Sequence, residues 1–285
     1  MWILFASLNP FSEAIRSYFA KKASADVDPM LISWANNFLP VLIFSPGLFF
    51  IELKFSAEFW AAFLATGIIN SFVTIIYMRA ISLGDISEVM PMLSFTPLFL
   101  LITSPIIVGE FPNVYGFAGV ILVVLGSYLL NVDLRKRDFL APIKALLKNK
   151  GSRLMLLVSF VWSLTANFDK LSIQYSSVAQ HIILINIFIF FTVGAIVLAN
   201  GKFNSGQIKK GKKNLLLVSA FTVGSFIFHM TALSMTLVAY VISMKRMSGM
   251  FSVFLGHFLL NEPHLRERLL GSAVMFIGVL LIVFS

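Results

Sequence analysis

The 285-residue sequence predicts an all-α integral membrane protein, ten transmembrane helices arranged as a 5+5 inverted repeat, on three observations. Apolar residues make up 58% of the chain and charged residues only 12%, against about 45–50% and 25% in soluble domains. Apolar stretches recur along the whole length, and a crossing needs about 20 such residues, so ten crossings fill most of the chain and leave short loops. The pattern of the first half also returns in the second at a constant offset of 152 residues. One compact membrane domain fits this length, and a separate soluble catalytic domain does not.

Charge, Gly or Pro separates the spans in order. The first, Trp2 to Ala20, carries Asn9, Pro10, Glu13 and Arg16 without a positive leader or a small-residue cleavage pattern, so it reads as a mature helix rather than a signal peptide. Met30 to Ile51 follows, then Ala57 to Leu83, closed by Gly84-Asp85. The fourth, Ile86 to Val108, contains Pro91, Pro97 and Pro105, which remove backbone donors and predict kinks. It ends at Gly109-Glu110-Phe111, and Pro112 to Asn131 opens at once, so neighbouring spans form antiparallel hairpins. The sizeable linker is 132–151; its stretch from Asp138 to Lys148 alternates apolar and basic residues as a surface-lying helix or a solvated connection. Ser152 to Ile173, Val178 to Asn200, Lys213 to Met235, Val238 to Leu260 and Glu267 to Ser285 complete the set.

This gives a first five-helix repeat over 1–131 and a second over 152–285. Ala80, Glu110, Gly119 and Gly126 match Ala232, Glu262, Gly271 and Gly278, each pair 152 residues apart. An odd number of crossings per copy inverts the second copy, an architecture in which two halves rock around a site near the bilayer midplane. Sixteen of the 22 Lys and Arg residues fall in odd-numbered loops and one, Lys54, in an even-numbered loop. Cytoplasmic loops carry the positive excess, which places both termini outside a plasma membrane such as a bacterial inner membrane.

The net charge of +9 sits largely in those loops and points to anionic lipid rather than nucleic acid. With no cysteine, there is no disulfide framework or thiol nucleophile. His181, His229, His257 and His264 are scattered without metal-ligand spacing, and no phosphate loop is present. No catalytic constellation, metal site or cofactor is predicted.

Five basic residues lie inside spans: Arg16, Arg79, Lys170, Lys245 and Arg246. A charge at the centre of a membrane helix costs about 2.5–3.5 kcal/mol on insertion scales, so it faces the bundle interior or water. Lys245 stands about 10 Å into the ninth span at 1.5 Å per residue. Adjacent residues diverge by about 100°, so Lys245 and Arg246 can line two walls of one cavity and hold a carboxylate or phosphate. The alternative is an internal salt bridge with Glu13, Glu88 or Asp169. Tyr240, Met244 and Ser248 on the same span, with Met92 and Thr96 on its repeat mate, complete the candidate substrate site. Glu13, Asp169, Lys170 and Glu88 are candidates for coupling or gating: aligned repeats set Glu13 opposite Asp169, as a neutralised pair or a proton site. Glu110 and Glu262 read as structural carboxylates before the next helix, and Gly119, Gly126, Gly271 and Gly278 as places of close helix approach.

The run Tyr77-Met78-Arg79-Ala80-Ile81-Ser82-Leu83-Gly84-Asp85-Ile86-Ser87-Glu88-Val89-Met90-Pro91 followed by Gly109-Glu110, and the same scheme ending in Asn261-Glu262 and Gly271, resembles the EamA-like branch of the drug/metabolite transporter superfamily over nearly the whole chain. Lys245-Arg246 is similar in position to the Lys-Arg pair of plastid triose-phosphate/phosphate translocators, which implies that Lys245 and Arg246 bind an anionic group. Those translocators use a further basic residue from an earlier helix, and the fourth span here has none.

The expected function is secondary transport of a small organic anion or zwitterionic metabolite by alternating access through a central cavity, by a monomer or homodimer. Exchange and proton coupling both remain open. The alternatives are an exporter of neutral amino acids or lipophilic drugs whose Lys-Arg pair is neutralised internally, and a non-transporting scaffold or lipid-binding protein.

Overall fold

In lipid each segment must pair its own backbone groups, and helix is the only regular structure among the described residues. The computed structural model describes residues 1–83, 90–130, 149–248, 250–251 and 265–285. The helices are α1 (Trp2–Ala23), α2 (Pro29–Ala35), α3 (Phe38–Phe44), α4 (Ala57–Ser82), α5 (Thr96–Ile107), α6 (Val114–Leu130), α7 (Lys150–Gln174), α8 (Val178–Ala199), α9 (Ser205–Met235), α10 (Val238–Lys245) and α11 (Leu265–Val283), with 3₁₀ turns at Ser45–Phe49 and Met90–Phe95. Each predicted span overlaps at least one of them. Glu88, Glu262, His257, His264, the linker stretch 132–148 and the side chain of Arg79 lie outside the described residues.

Among the described residues, five segments, Pro29–Phe49, Ala57–Thr74, Lys150–Gln174, Val178–Ala199 and Ser205–Met235, are long and apolar enough to cross a membrane. Shorter apolar helices cover Met92–Ile107, Val114–Leu129 and Leu270–Val283. Beside an apolar core, large apolar side chains also face outward and polar ones inward: Ile106 is 78% exposed and Phe191 67%, while Ser159, Asn167, Gln180 and His181 are at 0%. Apolar side chains facing outward and hydrogen-bonded polar ones facing inward are the arrangement a lipid solvent selects.

The chain forms two compact units, each drawing on both halves of the sequence: Met1–Ser71 with Phe168–Ser234, and Phe72–Asn167 with Met235–Ser285.

In the first unit, Ala23, Val27, Leu31 and Ile32 pack with Val193, Val197 and Leu215, and Phe59 and Phe63 pack with Ile185. The second predicted span is not one helix but α2, α3 and a 3₁₀ turn. Pro40 cannot donate to the carbonyl of Asn36, and its ring crowds that carbonyl. The Ser219 hydroxyl of α9 bridges the break, donating to the Asn36 carbonyl at 3.2 Å and accepting the Leu39 N–H at 2.8 Å. The eighth span starts earlier than its apolar pattern, because the Asn204 side chain accepts the Gln207 N–H at 3.1 Å and caps α9. Loops meet in a sorted way. Lys202 pairs with Asp28 at 3.2 Å and Lys210 with Asp26 at 2.6 Å, joining the loop after the first span to the start of the eighth. The Gln180 side chain bonds both backbone groups of Lys54 at 2.8 Å, joining the loop after the second span to the start of the seventh.

In the second unit, Val73, Ala80, Met92, Met155 and Val158 form the buried apolar cluster. The repeat glycines bring α6 and α11 together: a Cβ on Gly119 would stand 2.6 Å from the carbonyl oxygen of Gly278, and one on Gly126 would stand 2.6 Å from that of Gly271. As residue number rises along α6 its contact falls along α11, so these two helices run antiparallel.

Candidate functional site

Two spans of the second unit lose regular α-helix where the sequence placed its candidates. In the fourth, the 3₁₀ turn Met90–Phe95 passes into α5 with Pro97 in the first turn. Pro97 has no N–H for the Leu93 carbonyl, and the Thr96 hydroxyl donates to that carbonyl instead at 2.9 Å. In the ninth, α10 stops at Lys245 and the chain tightens: the Arg246 N–H reaches the Ser243 carbonyl at 3.1 Å and the Met247 N–H reaches that of Met244 at 2.9 Å. Short 3₁₀ stretches inside helices mark hinges.

The two interruptions meet. Arg246 Nη2 donates to Thr96 Oγ1 at 2.8 Å, and Thr96 Oγ1 lies 2.9 Å from Ser159 Oγ of α7. Thr96 is 1% exposed and Ser159 0%, while Lys245, Arg246 and Ser248 are half-buried. Of the other candidates, Met244 is buried on α10; Met92 packs with Val73, Ala80, Met155 and Val158. The Tyr240 ring is directed at α6, its hydroxyl filling the space over Gly116. A guanidinium held by a neutral hydroxyl is oriented without being discharged by that bond, and its planar fork of five N–H donors suits a carboxylate or phosphate.

Ser159 was not among the sequence candidates. It belongs to a polar ladder between α5 and α7: Thr103 Oγ1 donates to Ser163 Oγ at 3.4 Å, the Ser104 hydroxyl to Asn167 Oδ1 at 2.8 Å, and Asn167 Nδ2 to Thr103 Oγ1 at 3.0 Å. The signal was the spacing of Ser152, Ser159, Ser163 and Asn167, one helical face of an otherwise apolar span.

Glu110 acts elsewhere than expected. Its Oε2 accepts the Val238 N–H at 2.8 Å, at the start of α10, whose N-cap residue Leu237 has no side-chain bond to offer. A carboxylate from another loop thus caps the helix that carries Lys245. Glu110→Ala is expected to cost about 1 kcal/mol, the usual worth of an N-cap, with Glu110→Gln recovering part of it; thermal unfolding in detergent measures both.

The coupling candidates described here lie in the first unit. Glu13 and Arg16 form an ion pair one turn apart on α1. Glu13 Oε2 also accepts the Ser225 hydroxyl at 3.0 Å, and Arg16 Nη1 reaches Asn36 Oδ1 at 3.4 Å, beside the α2–α3 break. Asp169 is met by Thr66 Oγ1 at 2.6 Å and, at 3.4 Å, by Nε2 of His181. Lys170 is 5% exposed.

Comparison with known proteins bears on what such an arrangement serves. The model of the EamA-like transporter family matches residues 1–132 and 149–284. A solved structure described only as "Crystal structure of protein" is similar to 99% of this chain and 97% of its own, with a TM-score of 0.76 and 13% sequence identity, a likeness of fold. No curated protein matches the chain.

Proposed function

The chain belongs to the EamA-like transporter family, a family of multi-pass membrane transporters, and from that premise we propose that it is a secondary transporter moving a small organic anion or zwitterion by alternating access. Arg246 and Lys245 anchor the negative group. Thr96 orients Arg246, and Ser248 joins the site from the same segment, while Met92, Met244 and Tyr240 are buried in the packing of these spans. The observation that carries this reading is the hydrogen bond from Arg246 to Thr96, which ties the interrupted fourth span to the interrupted ninth. Discontinuous helices bearing the substrate site are how carriers combine a polar site with a lipid surround.

Ten crossings in a 5+5 inverted repeat fit the same observations. The glycine contacts of α6 and α11 exchange with each other when the two copies are exchanged, as an inverted pair requires. The bonded loops, with the helix starts beside them, share parity: those after the first and seventh spans, the second and sixth, and, through Glu110 and Val238, the fourth and eighth. Loop charge puts the odd loops in the cytoplasm of a plasma membrane, where the basic residues meet anionic lipid, and both termini outside. Glu13, Asp169 and Lys170 are assigned to coupling or gating.

Ligand screening by thermal shift tests the reading, because a ligand at 100 times its Kd adds about 2.7 kcal/mol to the stability of the folded state. Phosphoenolpyruvate and citrate are expected to raise the unfolding midpoint in a saturable way, with glucose and tetraphenylphosphonium inert. Shifts from the last two and none from the anions would overturn the anion assignment in favour of an exporter of neutral or lipophilic compounds.

A further inference from the structure

Asp169 and His181 are both buried, 8% and 0% exposed, and both stand outside the site around Arg246. Burying a carboxylate and an imidazole side by side in a lipid-embedded helix bundle is costly, and intramembrane ionisable groups of this kind mark ion pathways. His181 Nδ1 lies 2.8 Å from Ser172 Oγ. Its Nε2 lies 3.4 Å from Asp169 Oδ1, too far or too poorly aimed for a hydrogen bond. Asp169 Oδ1 takes the Thr66 hydroxyl at 2.6 Å, and Thr66 Oγ1 takes Asn70 Nδ2 at 3.1 Å. Three helices thus converge: α4 through Thr66 and Asn70, α7 through Asp169 and Ser172, and α8 through His181.

We infer that the Asp169–His181 pair is a reversible proton-binding site and that the proton is the coupling ion of this carrier. The inference deepens the transport reading and rests on it for its use, whereas proton binding itself needs no cargo. One proton from water adds to His181. The imidazolium has N–H donors on both ring nitrogens, one for the hydroxyl of Ser172 and one for the carboxylate of Asp169, and the pair is then electrically neutral. Loss of that proton returns a neutral ring beside a buried anion and removes the charge attraction that draws α8 towards α7. Since His181 has no exposed surface, a proton reaches it only when these helices part, so protonation and helix movement are linked. From α4 the neutral Thr66 touches the pair and the neutral Asn70 reaches Thr66; along α7 the buried Lys170 follows Asp169, and Gln180 and Asn186 on α8 are neutral.

Histidine ¹⁵N spectra of the labelled protein in detergent, recorded without any cargo from about pH 5 to 8, the interval in which imidazoles ordinarily titrate, test the site. The His181 signal is identified by its loss in His181→Gln; if that variant does not fold, His229→Gln, His257→Gln and His264→Gln identify it by elimination. A single protonation step is expected for His181, with its midpoint at least one pH unit lower, a tenfold loss of proton affinity, in Asp169→Asn. Should Asp169→Asn not fold, Thr66→Val replaces it and raises the midpoint, because the carboxylate loses a competing donor. A ring that keeps one protonation state across the range, or a midpoint that neither variant moves, overturns the inference. Counterflow of labelled phosphoenolpyruvate at equal pH on both sides of a vesicle needs no proton gradient. Its absence would count against the anion-transport reading while leaving the titration to stand or fall by itself.

Discussion

Arg246→Ala is expected to weaken binding of phosphoenolpyruvate by about 10- to 100-fold. A hydrogen bond to a charged group contributes about 1.5–3 kcal/mol, and each 1.4 kcal/mol is tenfold in affinity. Arg246→Lys keeps the charge but loses both the fork and the reach to Thr96, so it should recover little of that loss. Thr96→Val tests the orienting bond alone. The guanidinium stays but is no longer held at 2.8 Å, and a smaller loss of about five- to tenfold is expected, because the bond orients the guanidinium and does not itself hold the ligand. Ser159→Ala acts one step further out and should do less, because it touches Thr96 and not the guanidinium. Concentration–response curves of the thermal midpoint for the four variants give the order Ala, Lys, Val, Ala(159). Unaltered binding in Arg246→Ala would remove the guanidinium from the site.

What the sequence made legible follows from what lipid penalises. Apolar spans stand out because each must cross about 30 Å of hydrocarbon, and Arg246 stands out because a cation in such a span is costly. Ser159 taken alone does not stand out by the same rule: a hydroxyl in a membrane helix can bond back to its own backbone and costs little, so only its spacing with Ser152, Ser163 and Asn167 marks a polar face. The break at Pro97 could be anticipated, but the break at Asn36-Asn37 depends also on Ser219, 180 residues from the Leu39 whose N–H it accepts. Glu110 was expected to serve the helix after it, and local sequence favours that answer. Its contact with Val238 is set by tertiary packing 128 residues away. His181 has no metal-ligand spacing to mark it, and its partner Asp169 lies twelve positions earlier on another helix. The two compact units were not readable at all, since periodicity records which face of a helix is apolar and not which distant helix covers it.

The largest structural effect is expected where α6 and α11 cross. At Gly119 an added methyl would sit 2.6 Å from the Gly278 carbonyl oxygen and 3.0 Å from the Ile282 backbone nitrogen; at Gly278 it would sit 2.7 Å from the Gly119 carbonyl oxygen and 2.8 Å from the Val123 nitrogen. These neighbours are backbone, so no rotamer change can clear the space and the helices must separate. Gly119→Ala is therefore expected to destabilise the protein by about 1–3 kcal/mol, the usual range for overpacking, even though alanine is favoured over glycine by about 1 kcal/mol within a helix. Gly126→Ala meets the Gly271 carbonyl at the same 2.6 Å. Exchanging the two repeat copies turns the Gly119–Gly278 contact into the Gly271–Gly126 contact, so the two substitutions should cost nearly the same. Seven residues put them about 10 Å apart along α6, but both act by parting the same two helices, so the double variant should cost less than the sum of the two. Gly224 on α9 supplies the control: its added methyl would lie 3.5 Å from Ser12 Oγ, an ordinary contact, and Gly224→Ala should be neutral or stabilising. Thermal unfolding of the single and double variants in detergent checks all four. Tolerance of alanine at Gly119 would mean that the helices do not approach so closely, whereas a cost at Gly119 without one at Gly126 would break the equivalence on which the inverted repeat relies.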